Sequence, residues 1–228
     1  PLPLARLRAR GQLVEVRQDD LCFQPDEAAD FLSQAMKLAL PPDQVALLTQ
    51  QTEGWIAGLH LAALSLRSMP ERSAFLQAFS GEHAFIASYL ANEVLAQLSA
   101  PVRDFLFQTS ILERFSAPLC AAVTRQCEAQ QIIDQLVEAN LFILPLDSHR
   151  TWYRYHRLFA DLLRQRLHDV RPELVGELHI RASQWLEQSG LLELAIEHAL
   201  AGHAYARAVR LLRQVAEEML RRGEASPL

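Results

Sequence analysis

The stretch LFILPLDSHRTWYRYHRLFADLLRQRL, Leu141 to Leu167, decides the fold. Two apolar runs, residues 141–146 and 151–155, read as strands around a polar turn, Asp147-Ser148-His149-Arg150. The turn's second strand feeds directly into a helix beginning near His156, whose apolar face is Leu158, Phe159, Leu162, Leu163 and Leu167. A hairpin wedged among helices marks a winged helix. His156 falls at the first turn of its helix, where unpaired N–H groups and the dipole favour an anion, so a titratable donor stands at a ready-made phosphate site.

Before the hairpin, Ser99-Ala100-Pro101 starts a helix over 102–108, Ile111, Leu112 and Phe115 close that unit, and helices follow over 118–125 and 128–138. The pattern Phe85, Ile86, Tyr89, Leu90, Val94, Leu95, Leu98 predicts a helix after a boundary near Gly81. Further upstream, residues 2–11 read as a short helix ended by Gly11 and 13–17 as a brief strand. Pro25 opens a helix carrying Ala28, Ala29, Phe31, Leu32 and Met36, which Pro41-Pro42 stops, and Asp43 helps start the next, up to Gly54. Trp55 to Leu66 is apolar over most of its circumference and predicts a helix at the centre of a bundle, and a short helix covers about 73–79.

After Val170 the texture changes to helical pairs separated by single glycines: 172–188, 191–201 and 204–222, with turns at Gly190 and Gly202. Ala195, Ala199 and Ala206 are placed where helices approach closely, as in a tetratricopeptide-type array. The alternation of Arg207, Arg210 and Arg213 with Glu217 and Glu218 reads as a solvated face, as do Arg6, Arg8, Arg10, Arg164 and Arg166. Trp55, Trp152 and Trp185 are expected as core or interface anchors.

The 228 residues are half apolar and carry a formal charge of −5, which argues against a free-standing nucleic-acid binder. Cys22, Cys120 and Cys127 lack CxxC spacing, so neither a disulfide framework nor a zinc site is expected and a reducing cytoplasm is the simplest location. His198 and His203 are five apart, the wrong spacing for a helical metal pair. No catalytic constellation has a supporting motif. The chain holds one lysine, Lys37, and no GxxxxGK[ST], so by itself it is not a P-loop NTPase. No apolar run is long enough to span a bilayer, and the opening Pro1-Leu2-Pro3 suggests a piece of a longer polypeptide.

Four stretches, LPLARLRARGQLVEVR with LCFQPDEAADFL, TEGWIAGLHLAALSLR, FSGEHAFIASYLANEVLAQLSAPVRDFLFQTSILERF, and LVEANLFILPLDSHRTWYRYHRLFADLLRQRL, together resemble the MalT-like, large ATP-dependent regulators of the LuxR family, within the STAND class of signalling NTPases. The resemblance implies a mainly α chain: residues 1–23 ending a nucleotide-binding core, 24–80 a helical lid bundle, 81–168 a winged-helix domain, and 169–228 the first helices of a TPR-like superhelical sensor. It implies ATP or ADP in the parent protein and none bound to this piece alone. Implied partners are the nucleotide-binding core and sensor of the same polypeptide, self-association of the parent, and DNA only through a separate C-terminal helix-turn-helix.

Two positions inherit a nucleotide role by resemblance. The lid motif Gly-x-Pro, whose proline lies against adenine, corresponds to Gly54-Trp55-Ile56, with isoleucine in the proline's place. A winged-helix histidine that touches the β-phosphate of ADP in related proteins corresponds to His156, set in Tyr155-His156-Arg157 rather than a Met-His-Asp triplet. The favoured function is therefore a signal-transducing joint. Two other readings stay open: a winged helix that reads DNA directly, against which the helix 128–138 offers Glu128, Asp134, Glu138 and no basic residue, and a scaffold whose terminal repeats bind protein partners.

Overall fold

The structure is a computed structural model that describes residues 4–14, 16, 18–68, 76, 79, 81 and 84–222. The chain divides into two compact units, residues 1–86 and 87–228.

In the first unit, α1 (Leu4–Ala9) ends at Gly11, whose φ of +65° only glycine adopts freely, and α2 (Gln18–Leu21) follows. The expected strand at 13–17 does not form among its described residues. Val14 and Val16 are 91% and 64% exposed, and a lone extended segment has no neighbour to satisfy its backbone. Helix α3 (Pro25–Asp30) starts with proline in its first turn and a capping box, in which Gln24 N–H donates to Glu27 Oε2 at 2.9 Å. It runs into a π turn, Phe31–Ala35, and ends at Met36, not at the prolines. Lys37, at φ +52°, turns the chain and Leu38 N–H reaches Leu32 C=O at 2.8 Å, so the stop is a left-handed closure four residues early. Helix α4 (Pro42–Thr52) then begins on Pro42, and α5 (Ile56–Ser68) buries Leu59, Ala62, Ala63 and Leu66 completely. His60 and Leu64 are exposed, so α5 is a one-sided packing helix rather than the bundle centre its composition predicts. The helix expected over 73–79 lies largely outside the described residues.

The division falls within α6 (Ala84–Tyr89), which continues in the second unit as a π turn, Leu90–Val94, and one 3-10 turn, Leu95–Gln97. Then come α7 (Ala100–Thr109), α8 (Ala117–Thr124), α9 (Ala129–Glu138), β1 (Ile143–Pro145), β2 (Tyr153–Tyr155) and α10 (Arg157–Val170). The strands pair antiparallel, Ile143 with Tyr155 and Pro145 with Tyr153. Both are shorter than the apolar runs suggest, because Phe142 turns at φ +56° and the segment after Pro145 belongs to the turn. Phe115 supplies a third, one-residue strand: its N–H and C=O each bond Tyr153 at 2.8 Å. Helix, bridge, two helices and a hairpin is the connectivity of a winged helix.

The unit continues through α11 (Pro172–Gln188), α12 (Leu192–Ala201) and α13 (Tyr205–Arg222). Ala195 and Ala199 are fully buried, but the third small contact is Ala208, with Ala206 exposed on the other side of α13. Gly202 allows the closest approach, since a Cβ there would stand 3.0 Å from Gly176 C=O and 3.1 Å from His179 Cβ. Among the described residues no helix is long and apolar enough to cross a membrane.

Candidate functional site

Gly54, Trp55 and Ile56 form the junction between α4 and α5. Gly54 has φ +70°, and a Cβ at that position would lie 2.6 Å from the Phe23 carbonyl oxygen and 2.9 Å from its nitrogen. Phe23 N–H in turn donates to Gly54 C=O at 2.9 Å, so the glycine is dictated by the segment packed on it. Phe23 then meets Phe31 edge-on at 5.8 Å. Trp55 is half-buried, its carbonyl accepting from Leu59 N–H, and Ile56, 36% exposed, opens α5. What this junction presents outward is apolar.

His156 belongs to the second unit, at the N-cap of α10, one residue earlier than the first turn. Its N–H donates to Phe142 C=O at 2.8 Å and its C=O accepts from Ala160 N–H, which fixes the end of the hairpin to the start of the helix. Its ring makes no capping bond and is only 2% exposed, edge-on to Phe142 at 5.8 Å. It ends a chain of aromatic contacts that runs from Tyr153 through Phe115, Tyr155 and Phe159 to Phe142. Tyr155 OH pairs with Thr109 Oγ1 at 2.7 Å, which satisfies the buried phenol, and burial keeps its pKa well above the usual value.

The wing tip is built on Asp147. Its carboxylate accepts from Trp152 N–H at 2.8 Å and from Thr151 N–H at 3.1 Å, and these N–H groups hold its pKa below the ordinary carboxylate range. The helix that would enter a DNA groove, α9, buries Ala129, Ile132, Ile133 and Leu136 and exposes Gln130, Gln131, Asp134, Gln135 and Glu138. That face repels phosphate.

Sequence spacing missed the contacts that join helices. His198 pairs with His179, their Nδ1 atoms 2.8 Å apart, although His203 is its nearer neighbour in the chain. Among the described residues no three His, Cys, Asp or Glu side chains gather as a metal site. Arg207 and Arg210 are not simply solvated: both bond Glu187 of α11, and Arg207 Nε also reaches Ser183 Oγ at 2.8 Å. Arg164 is likewise drawn in, donating to Ser110 C=O at 3.0 Å. Cys120 is buried, which pushes its thiol pKa up, while Cys127 is exposed.

Residues 91–175 match the MalT winged helix domain, the stretch in which the helix–bridge–hairpin arrangement lies. The chain is MalT-like. The HTH-type transcriptional regulator MalT of Vibrio parahaemolyticus is 30% identical over 233 residues, covering 100% of this chain and 26% of that protein. MalT of Yersinia enterocolitica is 34% identical over 205 residues, 88% of this chain and 22% of that protein. The serine/threonine-protein kinase PknK of Mycobacterium tuberculosis is 38% identical over 213 residues, 93% of this chain and 19% of the kinase. The MalT-like chain thus spans about a fifth to a quarter of the length of the curated relatives it matches. It is a transcription-regulator-related segment, and its similarity to a kinase extends through the same helices.

Proposed function

We propose that the chain is the regulatory central segment of an ATP-dependent, LuxR-type transcriptional regulator. In this reading it links a nucleotide-binding core to a sensor domain of the same polypeptide and couples nucleotide state to inducer sensing and self-association. The observation that carries it is the unbroken similarity to MalT regulators across 88–100% of the chain, with the winged helix at its centre. The firm attachment of α11 to the winged helix suits such a relay: Arg181 Nη1 donates to Val123 C=O of α8 at 2.8 Å.

ATP or ADP would be the ligand of the longer protein. Within this chain, Trp55 and Ile56 offer an apolar surface that fits one face of an adenine ring. His156 as it stands is enclosed by its own domain, so a phosphate would reach it only if the N-terminus of α10 were uncovered. Bound nucleotide supplies charge for the residues around it to hold; the contribution of this segment is binding and orientation, and the chain by itself turns over no substrate.

The test is ADP affinity of the full-length protein by calorimetry. Ile56→Asp, at a partly exposed position, and His156→Ala are each expected to weaken binding about tenfold, the scale of one charge-assisted or apolar contact. Undiminished affinity in Ile56→Asp rejects the adenine surface, and undiminished affinity in a folded His156→Ala rejects the phosphate contact. Phosphate release from ATP by the 228-residue chain alone would reject the non-catalytic assignment.

A further inference from the structure

The outer side of the wing is a basic surface with an apolar centre. Tyr153 and Tyr155 are buried, so the alternation of an antiparallel hairpin turns the directly paired Leu144 and Arg154 to the opposite side. Leu146 and Trp152 continue that side, because Leu146 N–H donates to Trp152 C=O at 2.8 Å and carries the same pairing one step further. Arg114 joins it from the third strand: its neighbour Phe115 is bridged to Tyr153, and its guanidinium carbon stands 5.8 Å from the centre of the Trp152 ring. Leu146 is 47% exposed, Leu144, Trp152 and Arg154 are half-buried, and Arg114 is exposed. Strand pairing, bridge and ring contact therefore set these side chains on one contiguous face.

At the tip the turn adds His149 and Arg150, both exposed. Two carboxylates lie near the face in the chain: Asp147, already engaged by the N–H groups of Thr151 and Trp152, and Glu113, exposed one residue before Arg114. Arg114, Arg150 and Arg154 outnumber them, so the wing is a cationic patch on a chain whose net charge is −5. A guanidinium is a planar fork of donors that suits a carboxylate, while tryptophan and leucine call for an apolar cover. Tryptophan and arginine around a small apolar centre is also the composition of interface hot spots. An acidic peptide segment that carries an apolar side chain answers both demands. Duplex nucleic acid answers only the charge, since its backbone brings a phosphate about every 1.7 Å and would bring them all against an acidic chain. Strand addition is disfavoured too: Leu146 N–H and Phe142 C=O bond across to β2, so Pro145 falls on the opposite edge of β1, where it has no N–H to give.

We propose that the outer side of the wing is the docking site for an acidic amphipathic segment of a partner protein: an apolar side chain of that segment seats on Leu146 and Trp152, and its carboxylates are held by Arg114, Arg150 and Arg154. The docking does not rest on the nucleotide reading, and its test contains no nucleotide, so either proposal can fail alone.

The experiment is fluorescence polarisation of a short fluorescein-labelled peptide that repeats Glu-Glu-Leu, titrated with the 228-residue chain. Saturable binding is expected, weakening about tenfold or more when salt shrinks the screening length to a few ångströms. Exchanging the peptide's glutamates for glutamine should cost at least about tenfold, and exchanging its leucines for serine about fivefold. These peptide changes leave the protein untouched, so their effect is independent of its folding. On the protein side, Arg114→Gln together with Arg150→Gln should cost at least about tenfold and Leu146→Ser about fivefold, with far-UV circular dichroism checking that each variant folds. Arg166→Gln, at an exposed arginine of α10, should leave the affinity unchanged. A peptide that does not bind, binding that survives the loss of Arg114 and Arg150, or binding weakened equally by Arg166→Gln overturns the proposal. A labelled DNA duplex bound more tightly than the peptide at the same salt, and released by the same paired arginine variant, overturns it in favour of a nucleic-acid surface.

Discussion

His179 and His198 face each other between α11 and α12, half-buried, with Nδ1 atoms 2.8 Å apart, so one ring donates and the other accepts. Burial lowers both pKa values to about 4, and for His179 the nearby His198, His168 and His203 add to the effect. The unfolded rings titrate near 6.5. As pH falls from about 6.5 the unfolded chain takes up protons that the folded pair refuses, so stability is complete above that range and is lost progressively toward pH 4. The loss is expected to reach on the order of 2 kcal/mol, titrating as a pair. Thermal melts across pH 4–7 should show this decline, and the double variant His179→Gln with His198→Gln should flatten it. Spacing along the chain could not have found the pair, because its members are 19 residues apart on antiparallel helices and the relevant distance is set by their packing. Gly54 taught the opposite lesson: the position was legible as special, but its reason is the Phe23 backbone lying against it.

At the scale of elements, helix starts were the most readable feature. Ser99 precedes α7, and Pro101, Pro118 and Pro172 sit in first turns, where a missing N–H costs nothing. Helix ends were harder, because a left-handed residue such as Lys37 leaves no mark in composition. The hairpin was visible as two apolar runs, but its third partner, Phe115, was not, since a one-residue bridge depends on a neighbour 38 positions away. The wing's geometry makes a prediction of its own. Replacing Asp147 with Ala should speed amide exchange at Thr151 and Trp152 selectively, because their acceptor is removed, while exchange in β1 and β2 stays slow. In the unaltered protein the same two amides should loosen only in acid: the carboxyl pKa is depressed, so the contact is complete above the ordinary range and is lost as pH drops through the folded value.

Across the second unit, the winged helix and the helices after it form one compact body. The fastening is specific: Arg181 reaches from α11 to the Val123 carbonyl at the end of α8, held by Glu177, which also meets Arg125. Arg181→Met should remove a charge-assisted bond from a mostly buried side chain and lower stability by about 1–3 kcal/mol. Hydrogen exchange monitored in both α8 and α12 should accelerate together; acceleration confined to α12 would show that the two parts open separately. Close to its C-terminus α11 receives Arg207 and Arg210 from α13 on Glu187, so the last helix is tied to the same rod. With 17 residues, α11 is roughly 25 Å long. A pivot of roughly 10° about Arg181 would move the last residue of the helix, Gln188, which lies about 10 Å further along the axis, by about 2 Å. A small swivel of the hairpin domain would in this way be handed on to the helices that follow rather than absorbed at a loose joint.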